Sequence, residues 1–448
     1  MTVVQVRVHE TQRVAGGADV VLDLYGSRRQ DANVQWDSHR TELLKNLVPS
    51  AAAGDFLRLG MSVFCTDKVL PRRPTADAWT RDVVLRLPVH SRDDFLLAKP
   101  TIERALNFLS GDRWTLEFEE HPLDPPVASE PLVPSEVDAV SLFSGGLDSL
   151  AGAIDQLAAG ERVVFVGHYD AGITPSRQTE LMSALRANFG STVVATRRLF
   201  LRPRPQGPRL HHQLPAGERE RSTRARSLLF VAAGIAVADA LDPRCPIVVP
   251  ENGFIGINVP LTAARAGSLS TRTTHPHFFA LLREVLSILG LAHELRNPYR
   301  LLTKGEILAT NAEPALLERL APRSLSCSHP EASRHLTGEE GNCGYCWPCL
   351  IRRASMHHVG WDETDQYVYD ALGEERLLEP GSQSGASLRA AVASLHEQPT
   401  EFDVIRNGPV PPGEIPAFFD VFRRGRRELE GWLDAGAKAA LRTRLPNA

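Results

Sequence analysis

The fold of this 448-residue chain is predicted most clearly by the stretch Val137-Asp138-Ala139-Val140-Ser141-Leu142-Phe143-Ser144-Gly145-Gly146-Leu147-Asp148-Ser149. Residues 137–143 are largely apolar and predict a buried strand, and residues 150–159, which precede Gly160, predict a helix. The Gly-Gly turn between them lets backbone N–H groups approach an oxyanion closely. The helix start adds unpaired donors and the positive end of its dipole. The alternative interpretation is a plain glycine-rich turn.

The order of residues 144–149 differs from that of a Walker loop, because no Gly-Lys-Ser/Thr sequence follows. It resembles the SGGxDS loop, or PP-loop, of ATP pyrophosphatases, which split ATP into AMP and pyrophosphate to activate a substrate. The resemblance implies that ATP is bound by Ser144, Gly145, Gly146, Leu147, Asp148 and Ser149. The two serines would add hydroxyl donors, and Asp148 would hold Mg²⁺ or orient the phosphates.

Strands and helices alternate from residue 136 to about residue 310. Residues 163–168 and 247–250 are apolar runs without period-two patterning, and residues 176–189 and 223–241 predict helices. This pattern predicts an α/β fold, a doubly wound parallel sheet with helices on both faces. The 144–149 loop would then lie at the carboxyl edge of the sheet, where ligands bind in open α/β folds.

The composition of the remaining segments suggests further units. The expected order is an N-terminal α+β accessory domain over 1–130, a nucleotide-binding domain over 136–320, a four-cysteine site over 321–360 and a helical tail over 361–448. A Pro-rich linker is expected at 122–131. Residues 197–222 are rich in Arg, Pro and His, which favours a mobile lid; a solvated loop or a contact for an anionic partner are the alternatives.

The net charge and the distribution of apolar residues argue against some classes of protein. The net charge of -4 argues against a protein that coats nucleic acid, although a local basic patch stays open. The N-terminus lacks the pattern of a signal peptide, and no apolar run is long enough to span a bilayer, so a cytoplasmic protein is expected. Cys65 and Cys245 stand alone in apolar surroundings and are expected to be core residues with free thiols.

Four of the six cysteines lie close together in the sequence. Cys327 is followed by Cys343-Gly344-Tyr345-Cys346-Trp347-Pro348-Cys349, and four thiolates from one short segment predict a structural Zn²⁺ site. A redox Cys-x-x-Cys explains two of these cysteines but not four, and an iron–sulfur cluster is the other alternative. His329 and His335 lie in the same loop and could replace a ligand.

The loop and the cysteines together resemble the 7-cyano-7-deazaguanine synthase (QueC) family. Three short stretches add to the resemblance. Ala225-Arg226-Ser227 is similar to the family's Ala-Arg-Asn, and His168-Tyr169-Asp170 partly matches its Tyr-Gly-Gln. Thr303-Lys304-Gly305-Glu306-Ile307 is similar to its Thr-Lys-x-Glu-Ile; Thr303 and Glu306 also fit a capping box, so the alternative interpretation of this stretch is simply a helix start. The resemblance covers residues 136 to 360. Ordinary members lack the first 130 residues and the tail. The longer chain resembles the QueC-like proteins of bacterial anti-phage defence operons, notably the Qat type.

The resemblance implies an AMP-forming ligase that needs ATP, Mg²⁺ and Zn²⁺. A carboxylate, expected to be that of 7-carboxy-7-deazaguanine, attacks the α-phosphorus of ATP, and an amine then attacks the acyl-adenylate. Ammonia would give an amide, which a second ATP could dehydrate to a nitrile; in the defence-associated relatives the amine could belong to a partner protein. The residues expected to serve are Asp148, Lys304 and Arg226 in catalysis, His168 with the loop in cofactor binding, and Glu251, Asn252 and Arg272 in substrate recognition.

Two other classes of function compete with this one. A different PP-loop chemistry, such as tRNA thiolation or amidation, would require RNA binding with a steep salt dependence. A non-catalytic subunit of a defence complex would bind nucleotide without turnover. The sequence leaves open the acceptor amine, the product, the role of residues 1–130 and the oligomeric state, a homodimer included.

Overall fold

The computed structural model describes residues 1–25, 30–36, 43–125, 136–169, 172–215, 220, 224–261, 272–334 and 340–446. The strands are β1 (Thr2–Arg7), β2 (Val20–Asp23), β3 (Val34–Trp36), β4 (Asp82–Val89), β5 (Arg113–Glu120), β6 (Ala139–Leu142), β7 (Val163–Tyr169), β8 (Val193–Pro203), β9 (Ile247–Val248) and β10 (Leu295–Arg296).

The helices divide between the two sheets and the C-terminal part of the chain. They are α1 (Ala51–Val69), α2 (Arg92–Ser110), α3 (Leu147–Ala158), α4 (Thr174–Phe189), α5 (Arg226–Leu241), α6 (Gly253–Ile257), α7 (Pro276–Ile288), α8 (Lys304–Ala309), α9 (Pro314–Leu320), α10 (Trp347–His358), α11 (Ala386–Leu395), α12 (Glu401–Ile405), α13 (Ile415–Gly436) and α14 (Ala439–Arg442).

The larger sheet has the strand order β10-β9-β6-β7-β8-β3. Its first five strands are parallel, and β3 pairs antiparallel with β8 at the edge. From β6 the chain moves outward through β7 and β8, and then returns to the other side of β6 for β9 and β10, whereas β3 comes earlier in the chain and lies at the far edge. The strand order thus reverses between β6 and β9, and ligands bind in sheets of this kind at the carboxyl ends of the strands at such a point.

Helices cover both faces of this sheet. Val140 and Leu142 of β6 pack in one hydrophobic cluster with α5, whereas Val163 and Phe165 of β7 pack in another with α3 and α4. Side chains alternate between the faces of a strand, so one strand can serve both layers. The prediction of a parallel sheet between helices is therefore confirmed.

The smaller sheet corrects the expected α+β character of the N-terminal segment. Its order is β2-β1-β4-β5, and all three pairs are parallel. Parallel neighbours need a crossover connection, which a helix usually supplies. Here α2 provides it between β4 and β5, and α1 precedes β4. Residues 1–120 therefore form an α/β unit with a parallel sheet of its own.

The two sheets share one hydrophobic core. Residues of α1 and α5 belong to the same buried cluster, and a Cβ on Gly60 would lie 2.9 Å from the Cβ of Ala232. The helices can approach so closely only because Gly60 has no side chain. The expected linker at 122–131 lies outside the described residues from 126 onward.

The Arg- and Pro-rich segment differs from the mobile lid that its composition favours. Residues 197–203 continue β8, which pairs with β7 and β3. The chain then runs onto the smaller sheet, where the Arg204 N–H donates to the Asn33 carbonyl at 2.6 Å and His212 Nδ1 lies 3.0 Å from the Asp23 carboxylate. Residues 216–219 and 221–223 lie outside the described residues.

The C-terminal helices pack on α10 of the cysteine-rich segment and on the short helices α6 and α8. Side chains from α6, α10, α11 and α13 form a third hydrophobic cluster, in which Trp432 and Phe418 are almost fully buried. In the described parts of the chain, no helix combines the length and apolar character that a membrane span needs.

Candidate nucleotide site and metal centre

The 144–149 loop turns sharply into α3 at the carboxyl end of β6. Gly145 has a φ of +84°, a conformation that glycine adopts without strain, and a Cβ there would lie 3.2 Å from Gln178 Cγ. The Ser144 hydroxyl accepts from the Gly146 N–H at 3.2 Å and lies 3.2 Å from the Ser149 hydroxyl. Two hydroxyls thus gather at the start of a helix, where the first backbone N–H groups lack acceptors inside the helix.

Asp148, in the first turn of α3, joins three separate parts of the fold. Its Oδ1 lies 3.1 Å from Lys304 Nζ, and its Oδ2 accepts a hydrogen bond from Asn252 Nδ2 at 2.7 Å. Only 7% of the Lys304 side chain and 13% of the Asp148 side chain are exposed. Because withdrawing an ion pair from water is costly, a nearly buried pair beside the 144–149 loop suggests a functional role.

Asn252 holds this carboxylate in place. It is the N-cap of α6, where its Oδ1 accepts from the Ile255 N–H at 2.9 Å while its amide donates to Asp148. The neighbouring Gly253 is required, since a Cβ there would lie 2.1 Å from the Arg300 carbonyl oxygen. Both ends of the Asn252 amide are engaged within the protein, which favours a positioning role over the expected substrate contact.

Glu251 presents a second carboxyl group near Asp148. The Thr274 hydroxyl donates to it, and Asn297 fixes its backbone carbonyl through a hydrogen bond of 2.9 Å. Burial raises the pKa of Glu251 from 4.5 to about 7; the charge of Asp148 adds to this shift, whereas Thr274 and Lys304 oppose it. Near neutral pH the carboxyl group can therefore act as donor or acceptor.

Lys304 begins α8, and a glutamate from the C-terminal helix fixes that helix start. Thr303 and Glu306 form the capping box that the sequence predicts. Glu428 of α13 accepts hydrogen bonds from the Thr303 hydroxyl, from the Gly305 N–H at 3.2 Å and from the Ser355 hydroxyl at 3.1 Å. Sequence analysis missed Glu428, because a glutamate in a charged helix gives no sign of its partners.

The surroundings of His168 differ from those that its expected role in cofactor binding requires. Its ring lies between α1 and α5, 5.0 Å from the Phe64 ring and 5.7 Å from the Phe230 ring. Burial lowers the pKa of His168 well below its ordinary value, and the charge of Arg226 lowers it further. The face of β7 that carries Gly167 points to Gln178 and to the 144–149 loop, so His168 points the other way. Its expected role in cofactor binding is not supported.

The two expected arginines occupy different surroundings. Arg226 starts α5, and its guanidinium carbon lies 5.3 Å from the centre of the Phe230 ring. The next residue, Ser227, shares a hydrogen bond of 2.6 Å with Thr273, beside the threonine that contacts Glu251. Arg272 instead lies over the Phe108 ring at 4.6 Å and donates to Asn407 Oδ1 at 3.1 Å. Arg272 thus joins α2 to the C-terminal segment, which corrects its expected role in substrate binding.

The four cysteines converge as the sequence predicts. The sulfurs of Cys327, Cys343, Cys346 and Cys349 all lie within 4.8 Å of one another. Two of the distances are 3.8 Å, between Cys327 and Cys346, and 3.9 Å, between Cys343 and Cys349. Thiolates arranged tetrahedrally about 2.3 Å from one Zn²⁺ lie about 3.8 Å apart. These residues could therefore hold a metal such as zinc.

The positions of the four sulfurs favour a single metal ion over a disulfide, an iron–sulfur cluster or a histidine ligand. All four thiols are free, which excludes a disulfide in this state. A four-iron cluster places each thiolate on a different iron, and that arrangement needs wider spacing than a single ion does. His329 is exposed and lies 4.0 Å from Glu331, outside the sulfur cluster, and His335 lies outside the described residues. The four sulfurs alone complete a tetrahedral site.

Comparison of the chain with models of protein families, with curated proteins and with solved structures found no match.

Proposed function

We propose that this protein is an ATP-dependent, AMP-forming ligase of the PP-loop type. The observation that carries the proposal is the place of the 144–149 loop. It opens α3 at the point where the strand order reverses, and the nearly buried pair of Asp148 and Lys304 lies beside it. A glycine turn at a helix start, with two hydroxyls and one lysine beside it, suits a polyphosphate.

Each residue of the site has a different role in the proposed activation of the substrate. Backbone N–H groups of the loop, with Ser144 and Ser149, would bind the pyrophosphate portion of ATP. Lys304 would balance the negative charge that develops as pyrophosphate leaves. Asp148 offers carboxylate oxygens of the kind that Mg²⁺ prefers, and Mg²⁺ would supply charge neutralisation there. Arg226, at the start of α5, is the candidate for contact with the α-phosphoryl group.

The reaction proposed is carboxylate activation. A substrate carboxylate oxygen attacks the α-phosphorus, the bond from that phosphorus to the pyrophosphate oxygen breaks, and an acyl-adenylate forms. An amine nitrogen then attacks the acyl carbon, AMP leaves with the bridging oxygen, and the nitrogen loses a proton. The proposed substrate is 7-carboxy-7-deazaguanine, on the strength of the resemblance to the QueC family. Glu251 supports this choice, because a guanine-like ring needs a hydrogen-bond partner for its N–H edge.

The acceptor amine is proposed to belong to a partner protein of an anti-phage defence system. Ammonia needs no docking surface, whereas this chain has a second parallel sheet and a C-terminal helical segment in addition to the nucleotide site. The four cysteines are assigned a structural zinc, since four thiolates leave no open position for water.

The activity is tested with the full-length chain, ATP, Mg²⁺ and the carboxylate, by following AMP and pyrophosphate. Asp148→Asn should abolish pyrophosphate release while circular dichroism stays unchanged, and Asp365→Asn, at an exposed position, is the matched control. Full turnover in Asp148→Asn would overturn the assignment. AMP formation that requires tRNA instead of the carboxylate would indicate tRNA modification, and nucleotide binding without turnover would indicate a non-catalytic subunit.

A further inference from the structure

Two residues that immediately precede the metal centre touch the 144–149 loop. The Leu325 N–H donates to the Gly145 carbonyl at 2.9 Å, and the Ser326 hydroxyl accepts from the Leu147 N–H at 3.1 Å. Leu147 is the first residue of α3, so its N–H has no acceptor within the helix. Residues 325–326 therefore fix the part of the loop from which phosphate-binding N–H groups project.

The backbone on either side of Leu325 is tied into the cysteine cluster. The Ser326 N–H donates to Asn342 Oδ1 at 3.2 Å, and Asn342 Nδ2 donates to the Ser324 carbonyl at 3.2 Å. Asn342 directly precedes Cys343, whose N–H points to the Cys327 sulfur at 3.3 Å. Both halves of the cysteine cluster thus hold the backbone at 324–326.

Residues 325–326 also lie within van der Waals distance of the second glycine of the loop. A Cβ on Gly146 would lie 3.6 Å from the Leu325 carbonyl oxygen and 3.6 Å from the Ser326 hydroxyl oxygen. A displacement of residues 325–326 would remove two hydrogen bonds and free the loop to change conformation.

We propose that metal binding by Cys327, Cys343, Cys346 and Cys349 fixes Leu325 and Ser326 against the loop, and that the metal thereby sets the affinity for nucleotide without touching it. Ser326 is then a positioning residue. That the ligand is ATP rests on the proposed function. The coupling between the metal centre and the loop rests on the contacts alone.

The test measures hydrogen exchange of the loop amides and, separately, the dissociation constant for ATP. It compares the full-length chain with its metal, the same chain after chelation, and Ser326→Ala with its metal content verified. Loss of one hydrogen bond corresponds to about a tenfold change. We expect Ser326→Ala to exchange the Leu147 amide about tenfold faster and to bind ATP about tenfold more weakly. Metal removal should change both quantities at least as much.

The matched control is Ser328→Ala, on the other side of Cys327. Ser328 is exposed, and the control keeps its backbone N–H, which points to the Cys346 sulfur at 3.5 Å. Unchanged exchange of the Leu147 amide in metal-loaded Ser326→Ala would overturn the proposal, even if chelation unfolds the chain. Wild-type protein that binds no ATP, yet shows the expected exchange, would contradict the proposed function and support the coupling.

Discussion

Replacing Glu428 with alanine tests whether the C-terminal helix α13 supports the proposed nucleotide site. The substitution leaves the Thr303 hydroxyl and the Gly305 N–H without their acceptor, whereas the Ser355 hydroxyl keeps the Ile351 carbonyl as an acceptor at 2.8 Å. A buried donor left unpaired costs about 1–3 kcal/mol, and water will partly satisfy the two donors, so we expect a loss of about 2–4 kcal/mol. The start of α8 should shift, and Lys304 shifts with it.

The assay for this variant combines thermal unfolding with ATP binding. We expect a melting temperature lower by several degrees and an affinity for ATP at least tenfold weaker. Glu428→Gln should cost less, because burial raises the pKa of Glu428 and the site therefore tolerates a neutral side chain. Glu430→Ala, on the same helix, is the control. Equal stability and ATP affinity for Glu428→Ala and Glu430→Ala would refute the reasoning.

Three other predictions concern the metal, the lysine and the second carboxyl group. Metal analysis should find one zinc per chain, and Cys343→Ser should lose it; iron, or no metal, would contradict the assignment. Lys304→Met should weaken ATP binding at least tenfold by calorimetry, whereas Lys438→Met, at an exposed ion pair, should not. Glu251 has a folded pKa raised to about 7, so its stabilisation is complete below about pH 4.5 and is lost as the pH rises through about 7. Unfolding measured across this range should therefore show a smaller decline in stability for Glu251→Gln than for wild type, and parallel curves would count against the raised pKa.

The sequence predicted the features that depend on local pattern. The strand, glycine turn and helix around residue 145 lie where the apolar and glycine residues indicate, and the cysteines meet as their spacing requires. Thr303 and Glu306 form the expected capping box. In each case neighbours in the chain are also neighbours in space, so spacing alone carries the information.

The features that sequence analysis missed depend on contacts between distant segments. His168 and Arg272 are polar residues near the site in the chain, but they point to Phe64 and to Phe108 because of how α1 and α2 pack. Residues 197–200 extend β8 by pairing with β7, and residues 201–203 extend it by pairing with β3. Glu428 reaches α8 from 125 residues beyond Thr303. None of these partners can be identified from the residues next to them.

Labelling the substrate carboxylate with ¹⁸O shows directly whether it attacks the α-phosphorus of ATP at the 144–149 loop. The substrate is 7-carboxy-7-deazaguanine labelled in its carboxylate, incubated with the full-length chain, ATP, Mg²⁺ and an acceptor amine, and the AMP is weighed by mass spectrometry. Our account predicts AMP that carries one ¹⁸O atom, together with unlabelled pyrophosphate. Unlabelled AMP, or ADP with inorganic phosphate, would contradict it.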